Sequence, residues 1–322
     1  MNNCLDCAKN CESIPLTGKE DLYNPSEDLI DRVVENQERS KRIYHYTSLE
    51  TLYKLVDGVK DNHFTFYAGS IYTMNDSQEM NLGYEYIKKN LPQIEDKLHV
   101  NAEERISLLF NQAENNIHEA FIKGMIQSDM TNFVVSFSSK PDVLPLWALY
   151  GDNGAGVCLE FSPFMIKKYY KELSLDRHIQ IMECVYGEIE ISNFLMENLE
   201  VVYRLFLKAI KSSKNKTPNI QSEYLAIMCS VVGAFVKHKG FSYEEEIRMN
   251  IFKDKCDWKF SNTRMGHLRV YVEIPIPTNA LTRIIIGPAT PIQSVRNPLI
   301  LALRTKGIAL EPEQSGIPYR QF

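Results

Sequence analysis

The sequence predicts an α+β fold: a central, mostly antiparallel sheet with helical insertions. Three observations carry this. Apolar and polar residues alternate with period two at Phe64–Ala68, Asn132–Ser139 and Tyr243–Ile251. Long stretches with apolar residues at helical spacing gather at about 82–130 and 190–240. A strand–helix–strand unit opens at Ile43 and places several polar groups near one strand end. The organisation read from this is an N-terminal Cys-containing segment and helix over residues 1–40, then one α+β domain over 41–322.

Taken in order, Cys4, Cys7 and Cys11 supply three of the four thiolates or imidazoles of a structural zinc site. No fourth ligand is nearby, so the expectation is an untethered, reduced terminal segment. Pro25–Arg39 reads as a charged helix with Leu29, Ile30, Val33 and Val34 as its buried side. Ile43–Tyr46 is a short strand, and Thr47-Ser48-Leu49-Glu50 fits a capping box with Thr47 as the cap. Leu49, Leu52, Tyr53 and Val56 then form the apolar stripe of a helix that Gly58 ends in the left-handed conformation. Phe64, Phe66 and Ala68 alternate with His63, Thr65 and Tyr67 in a second strand, which leads into a polar loop at Met74-Asn75-Asp76.

Leu82–Asn90 and Ala102–Gln127 are helical in pattern. Asn132–Ser139 turns Phe133, Val135 and Phe137 to one side and Ser136 and Ser138 to the other. Leu144–Tyr150 is a short aromatic helix containing Trp147. The turn Gly151-Asp152-Asn153-Gly154 leads into a strand over Gly156–Phe161, where Gly154 and Gly156 serve the turn or let a ligand approach the backbone. Ile179–Tyr186 is a strand, and Ile191–Lys211 and Ile220–Lys239 form a helical layer. In Tyr243–Ile251 the apolar face is Ile247, Met249 and Ile251; Glu244, Glu246, Arg248 and Asn250 share the other, as a pocket wall or an edge ion-pair ladder. Leu268–Ile274 and Arg283–Ile286 are further strands, and Pro291–Lys306 is a closing helix.

The 44% hydrophobic and 24% charged fractions are those of an ordinary globular chain. A net charge of −5 argues against a generally basic nucleic-acid surface. The longest apolar run, Tyr224–Val236, is shorter than the roughly 20 residues that cross a bilayer. The N-terminus lacks a secretion signal, so the expectation is a cytoplasmic chain, without a membrane anchor, whose seven cysteines are reduced. The motifs GxxxxGK[ST], GxGxxG, HExxH and GxSxG are absent.

Several motifs occur in a fixed order: Tyr44-His45-Tyr46-Thr47, Asn75-Asp76 to Glu79, Ser136-Phe137-Ser138, and Trp147 to Tyr150-Gly151 with Gly156. They are followed by Lys237 to Tyr243-Glu244-Glu245-Glu246-Ile247-Arg248, Ile286-Gly287-Pro288, and Ser315 to Tyr319-Arg320. Together they resemble a bacterial family catalogued as a domain of unknown function, number 2971, from about Ile43 to the C-terminus. Phe241 stands where that family's pattern has tryptophan. The family implies a fold and boundaries, not an activity.

A second resemblance, to mono-ADP-ribosyltransferases, rests on His45 before Thr47 on a first strand, Ser136 or Ser138 on a middle strand, and Glu244 or Glu246 on a later one. It implies NAD as the cofactor, with His45 on the adenosine ribose and Tyr46 and Thr47 beside it. Tyr67 or Tyr72 would stack on nicotinamide, Ser136 or Ser138 would support the Glu strand, and Trp147 and Arg248 would complete the cofactor contacts. Glu246, accompanied by Glu244, would bond the nicotinamide ribose and stabilise the charge that develops as nicotinamide leaves. An oxocarbenium-like transition state needs a fixed carboxylate and a dry aromatic pocket more than a strong nucleophile. The acceptor, protein or nucleic acid, is not implied.

Two alternatives stand beside it. A metal-dependent nuclease or phosphodiesterase would hold Mg²⁺ on Asp76, Glu79, Glu244 and Glu246, with His45 as base, although Asp76 and Glu79 also suit a helix N-terminus. The third reading is non-catalytic: a nucleotide- or partner-binding sensor or scaffold, such as a module of bacterial defence against phage.

Overall fold

The computed structural model describes residues 41–71, 79–111, 130–175, 179–212, 220–254, 257–262 and 268–318. The Cys4–Cys11 segment, the Pro25–Arg39 helix, Tyr72, Asn75-Asp76 and Tyr319-Arg320 lie outside the described residues.

The strands are β1 (Ile43–Thr47), β2 (His63–Ser70), β3 (Met130–Ser138), β4 (Val157–Phe161), β5 (Ile179–Glu183), β6 (Val185–Tyr186) and β7 (Val236–Lys237), then β8 (Glu246–Asp254), β9 (Lys259–Asn262), β10 (Leu268–Pro277), β11 (Leu281–Ile286) and β12 (Glu313–Gln314). The helices are α1 (Leu49–Asp57), α2 (Glu79–Lys97), α3 (Leu144–Leu149), α4 (Pro163–Glu172), α5 (Glu188–Ser212), α6 (Ile220–Val231) and α7 (Ile292–Thr305).

β3 is the axis of the molecule. One of its edges pairs antiparallel with β8 along the whole strand, from Met130↔Asp254 to Ser138↔Glu246, and β8 in turn pairs with β5. The other edge is shared. β1 meets it at Tyr44↔Ser138, and β2 at Gly69↔Val134 and Ser70↔Phe133. Beyond these contacts the two strands part company. β1 continues through β4 to β11 and the parallel β12, and β2 continues through β10 to β9. Apart from β11 with β12, the pairs of this ten-stranded sheet are antiparallel, and β6 with β7 forms a separate parallel pair. The fold is α+β with a mostly antiparallel sheet, as the sequence predicts.

Both faces are covered, so β3 and β8 are buried on two sides. Phe133, Val135 and Phe137, with Ile247, Met249 and Ile251, pack under Leu52 and Val56 of α1, Ile166 of α4 and Leu299 and Leu303 of α7. On the opposite face α2, α5 and α6 bury Ile87, Leu91, Leu199, Tyr203, Phe206 and Met228 in one cluster with Val134 and Met182. Each such side chain, fully buried, contributes roughly 1.5–3 kcal/mol. Among the described residues no helix is long and apolar enough to cross a membrane.

Several boundaries differ from the sequence reading. Thr47 stays in the β1–β4 ladder opposite Val157, so the cap of α1 passes to Ser48, whose side chain accepts from the Thr51 N–H at 3.1 Å, and Glu50 reaches forward to Lys54 at 2.6 Å. Gly58 is right-handed, with φ −73°; the left-handed residues are Asp61 and Asn62, in the turn that feeds β2. Ala102–Glu104 and Ile106–Asn111 are 3-10 turns, not the start of a long α-helix. The strand expected over Ile179–Tyr186 breaks at Cys184, whose N–H bonds the Glu246 carbonyl at 2.8 Å.

The helix expected over Ile220–Lys239 ends at Val231, and a 3-10 turn at Gly233–Phe235 carries the chain into β7. That turn packs backbone to backbone on α2: a Cβ on Gly83 would lie 2.5 Å from the Gly233 carbonyl oxygen. Gly156 is equally constrained, since a Cβ there would lie 2.2 Å from the Thr47 carbonyl oxygen. Its role is the close approach of chain segments at the start of β4.

Candidate functional site

The shared edge of β3 opens a cleft. Between the β1 contact at Ser138 and the β2 contact at Val134, neither strand pairs with Val135, Ser136 or Phe137. An unpaired backbone carbonyl in a sheet interior needs another donor. His45 supplies it: Nδ1 lies 3.0 Å from the Ser136 carbonyl oxygen, with the ring set edge-on between Phe66 and Phe137. Burial lowers the proton affinity of this imidazole below its ordinary value, and the Ser136 carbonyl opposes that shift only in part. The ring is therefore neutral at pH 7. Because a carbonyl can only accept, Nδ1 carries the hydrogen and Nε2 is left as an acceptor.

The cleft has a volume of about 230 Å³. Tyr44, His45 and Tyr46 line it from β1, Tyr67 from β2 and Val134–Ser138 from β3. Leu146 and Tyr150 wall it from α3 and its end, and Lys237, Phe241, Glu244 and Glu246 form the remaining side.

That last side is a buried ionic cluster. Arg248 is fully buried beside Glu246 on β8, donating from Nε to Oε1 at 3.0 Å and from Nη2 to Oε2 at 3.0 Å. Lys237 donates to Glu246 Oε2 at 2.7 Å and to Glu244 Oε2 at 2.5 Å, and its ammonium lies 5.0 Å from the centre of the Phe241 ring. Two carboxylates and two cations balance, which is how charges survive in a low-dielectric interior. Burial pushes the Glu246 carboxyl up, but the charges and hydrogen bonds of Arg248 and Lys237 outweigh it and hold the group at about 2.

Local backbone geometry aims these groups. β6 and β7 pair Tyr186 opposite Lys237, which brings the lysine beneath β8, and the Tyr186 hydroxyl accepts from the Glu246 N–H at 2.9 Å. Glu244 is not on β8 as the sequence alternation implies: it ends a 3-10 turn over Lys239–Glu244. Glu245 then adopts φ 40°, a left-handed conformation that costs a non-glycine residue about 1–2 kcal/mol. That kink lets Glu244 and Glu246 share Lys237. Tyr150 donates to Glu244 Oε1 at 2.7 Å, and burial, then Glu244 itself, raises the tyrosine's pKa so that it stays a donor. Ser138 Oγ donates to the Glu244 carbonyl at 2.8 Å and fixes the turn to β3.

Of the residues singled out in the sequence, the structure brings His45, Tyr46, Tyr67, Ser136, Ser138, Glu244 and Glu246 to one cleft. Thr47, Trp147 and Arg248 are not on its wall. Thr47 is held in the ladder with β4. Trp147 is fully buried beneath Tyr46 and its Nε1 donates to Asp142 at 2.8 Å, so it supports the wall from behind. Arg248 sits behind Glu246, also donating to the Ala234 carbonyl at 2.6 Å.

Lys237 and Tyr150 carry more of the site than the sequence reading gave them. One signal for Lys237 was there: a single cation closing an otherwise apolar run that Gly233 interrupts. Among the described residues, no group of three or more His, Cys, Asp or Glu side chains is placed to hold a metal ion. Among the described residues Cys158, Cys184 and Cys229 are buried and form no disulfide.

The chain segment from α3 to β8 supplies the ionic side of this cleft. Residues 146–249 match the family model described as Protein of unknown function (DUF2971). The family resemblance read from the motifs is thereby shown over that stretch, which is about a third of the chain. The DUF2971 stretch contains Tyr150, Lys237, Glu244, Glu246 and Arg248, whereas His45 and Tyr67 fall outside it. No curated protein and no solved structure matches the chain.

Proposed function

We propose that the chain is an NAD-dependent ADP-ribosyltransferase-like enzyme and that the cleft on the shared edge of β3 is its NAD site. The supporting observation is convergence. A neutral histidine on the first strand, serines on the middle strand and two glutamates at the head of a later strand, far apart in sequence, line one aromatic cleft.

Their chemistry suits the reaction. His45 Nε2 accepts a ribose hydroxyl, and Tyr67, 64% exposed, offers a ring face to a base. A carboxylate beside the anomeric carbon stabilises the oxocarbenium character that appears as the bond to nicotinamide nitrogen breaks and that electron pair leaves with nicotinamide. Glu244 is the better placed of the two. Glu246 already accepts from Arg248 twice, from Lys237 and, at 3.6 Å, from the Cys184 thiol, which fills the four or so acceptor positions of a carboxylate. Glu244 accepts from Tyr150 and Lys237, with Tyr243 beside it, and keeps room for a ribose hydroxyl. Glu246 then acts as a positioning residue, holding Lys237 against Glu244.

The same ion pairs weigh against the metal-dependent alternative, since Glu244 and Glu246, two of the four carboxylates that would bind Mg²⁺, are already paired with cations. A role in bacterial stress or phage defence belongs to this proposal as its biological setting, with the acceptor still to be found.

The test is release of nicotinamide from NAD. The reading expects Glu244→Gln to keep NAD affinity within a few-fold and to lose turnover by about 100-fold or more, the scale of removing one transition-state electrostatic contact. Equal turnover in wild type and Glu244→Gln contradicts the assignment, and absence of NAD binding to the wild-type chain contradicts the function.

A further inference from the structure

Among the described residues, nothing requires a glycine at Gly69. It lies inside β2, paired on one side with Tyr271 of β10 and on the other with Val134 of β3. Its φ is not positive, and among the described residues a Cβ built on it would meet nothing within 4 Å. At Gly83, Gly156 and Gly287 the opposite holds, because neighbouring backbone forbids a side chain. A strand-interior glycine with free space above it weakens the strand for no packing return, which is the signature of a place where something else approaches the backbone.

The surroundings say what kind of thing. Side chains on β2 alternate, so Gly69 shares a face with Tyr67, and across the ladder that face carries Tyr271, Glu273 and Lys259. Tyr67 is exposed, and its ring centre is 4.8 Å from that of Tyr271. Tyr67 and Val134 line the cleft, and Gly69, two residues along β2 from Tyr67 and paired with Val134, lies next to its wall. A cleft of about 230 Å³ falls below the roughly 300–1,000 Å³ of sites that enclose a drug-sized ligand. It is large enough for one nucleoside end of a dinucleotide, not for both.

We infer that the ligand of the cleft is longer than the cleft, and that its second nucleoside lies over the Gly69 backbone, flanked by the Tyr67 and Tyr271 rings. This rests on the NAD reading proposed above and extends it. Gly69 acts as a length filter, passing dinucleotides across a notch that any side chain would fill. Nicotinamide mononucleotide is confined to the cleft and does not need the notch.

Gly69→Val separates the two. Valine suits a strand, and the open space accepts it, so the melting temperature stays at or above that of the wild type. Calorimetric titration is expected to show NAD binding weakened at least about tenfold and nicotinamide mononucleotide binding unchanged. Tyr271→Ala, made in parallel, is expected to weaken NAD selectively in the same way. NAD affinity that neither variant changes overturns this inference and leaves the transferase reading standing. A large drop in melting temperature for Gly69→Val contradicts the open notch itself. Wild-type protein that binds neither probe overturns both readings.

Discussion

The two edges of β3 are built on opposite plans. Toward β8 the ladder is continuous over nine residue pairs, and the strand beyond it is covered in turn by β5. Toward β1 and β2 the ladder is held only at Ser138 and at Phe133–Val134, and a histidine ring replaces the missing strand between them. The continuous edge ties the chain's halves together. The interrupted edge gives up backbone pairing, and in exchange a cleft opens into the sheet between its own strands. The charges follow the same division, since Arg248 is sealed on the continuous side while Glu244 and Lys237 border the cleft.

Removing a charge from the sealed side should do the most damage. Arg248→Ala leaves Glu246 buried with half its compensation and the Ala234 carbonyl without its guanidinium donor. A loss of about 3–5 kcal/mol is expected, read as a lower denaturant midpoint. A loss under about 1 kcal/mol would mean that water reaches the cluster and that the two edges are less different than described.

The acid limb of stability gives the next effect. The folded Glu246 carboxyl, at about 2, holds a proton less tightly than the unfolded chain, whose value is near 4.5. Its contribution is therefore complete above about 4.5 and disappears as the pH falls toward 2. Urea midpoints for wild type and Glu246→Gln should differ most at neutral pH and converge below pH 4.5. Parallel curves throughout would place the cation pairing elsewhere.

On the interrupted edge the stability effect should be smaller. His45→Ala orphans the Ser136 carbonyl on the cleft wall, for an expected cost of about 1–3 kcal/mol in thermal unfolding. A cost as large as that of Arg248→Ala would show that the split edge is structural and not a ligand site.

This contrast was half legible in the sequence. Alternation gave the strands, and it assigned Ser136 and Ser138 to the face opposite Phe133, Val135 and Phe137 correctly, because one-face burial fixes side-chain parity. Alternation says nothing of which strands share an edge, so the split of β1 from β2, and with it the reason for His45, could not be read. The placement of Glu244 failed for a local reason: continuing the period through Glu245 misses a left-handed residue that no glycine announces. Lys237 was hidden by the apolar run before it, which reads as helix until the Gly83–Gly233 backbone contact explains why the helix stops. Trp147 drew attention as an aromatic beside a glycine turn, and proved to be filling the core beneath Tyr46.

The most direct test of the account is a calorimetric titration of NAD into wild-type protein and into His45→Ala. Saturable binding by the wild type, weakened at least about tenfold in a variant that still unfolds cooperatively, is the predicted result. Binding that is indifferent to His45, or absent from the wild type, would contradict the claim that the interrupted edge of β3 is the ligand site.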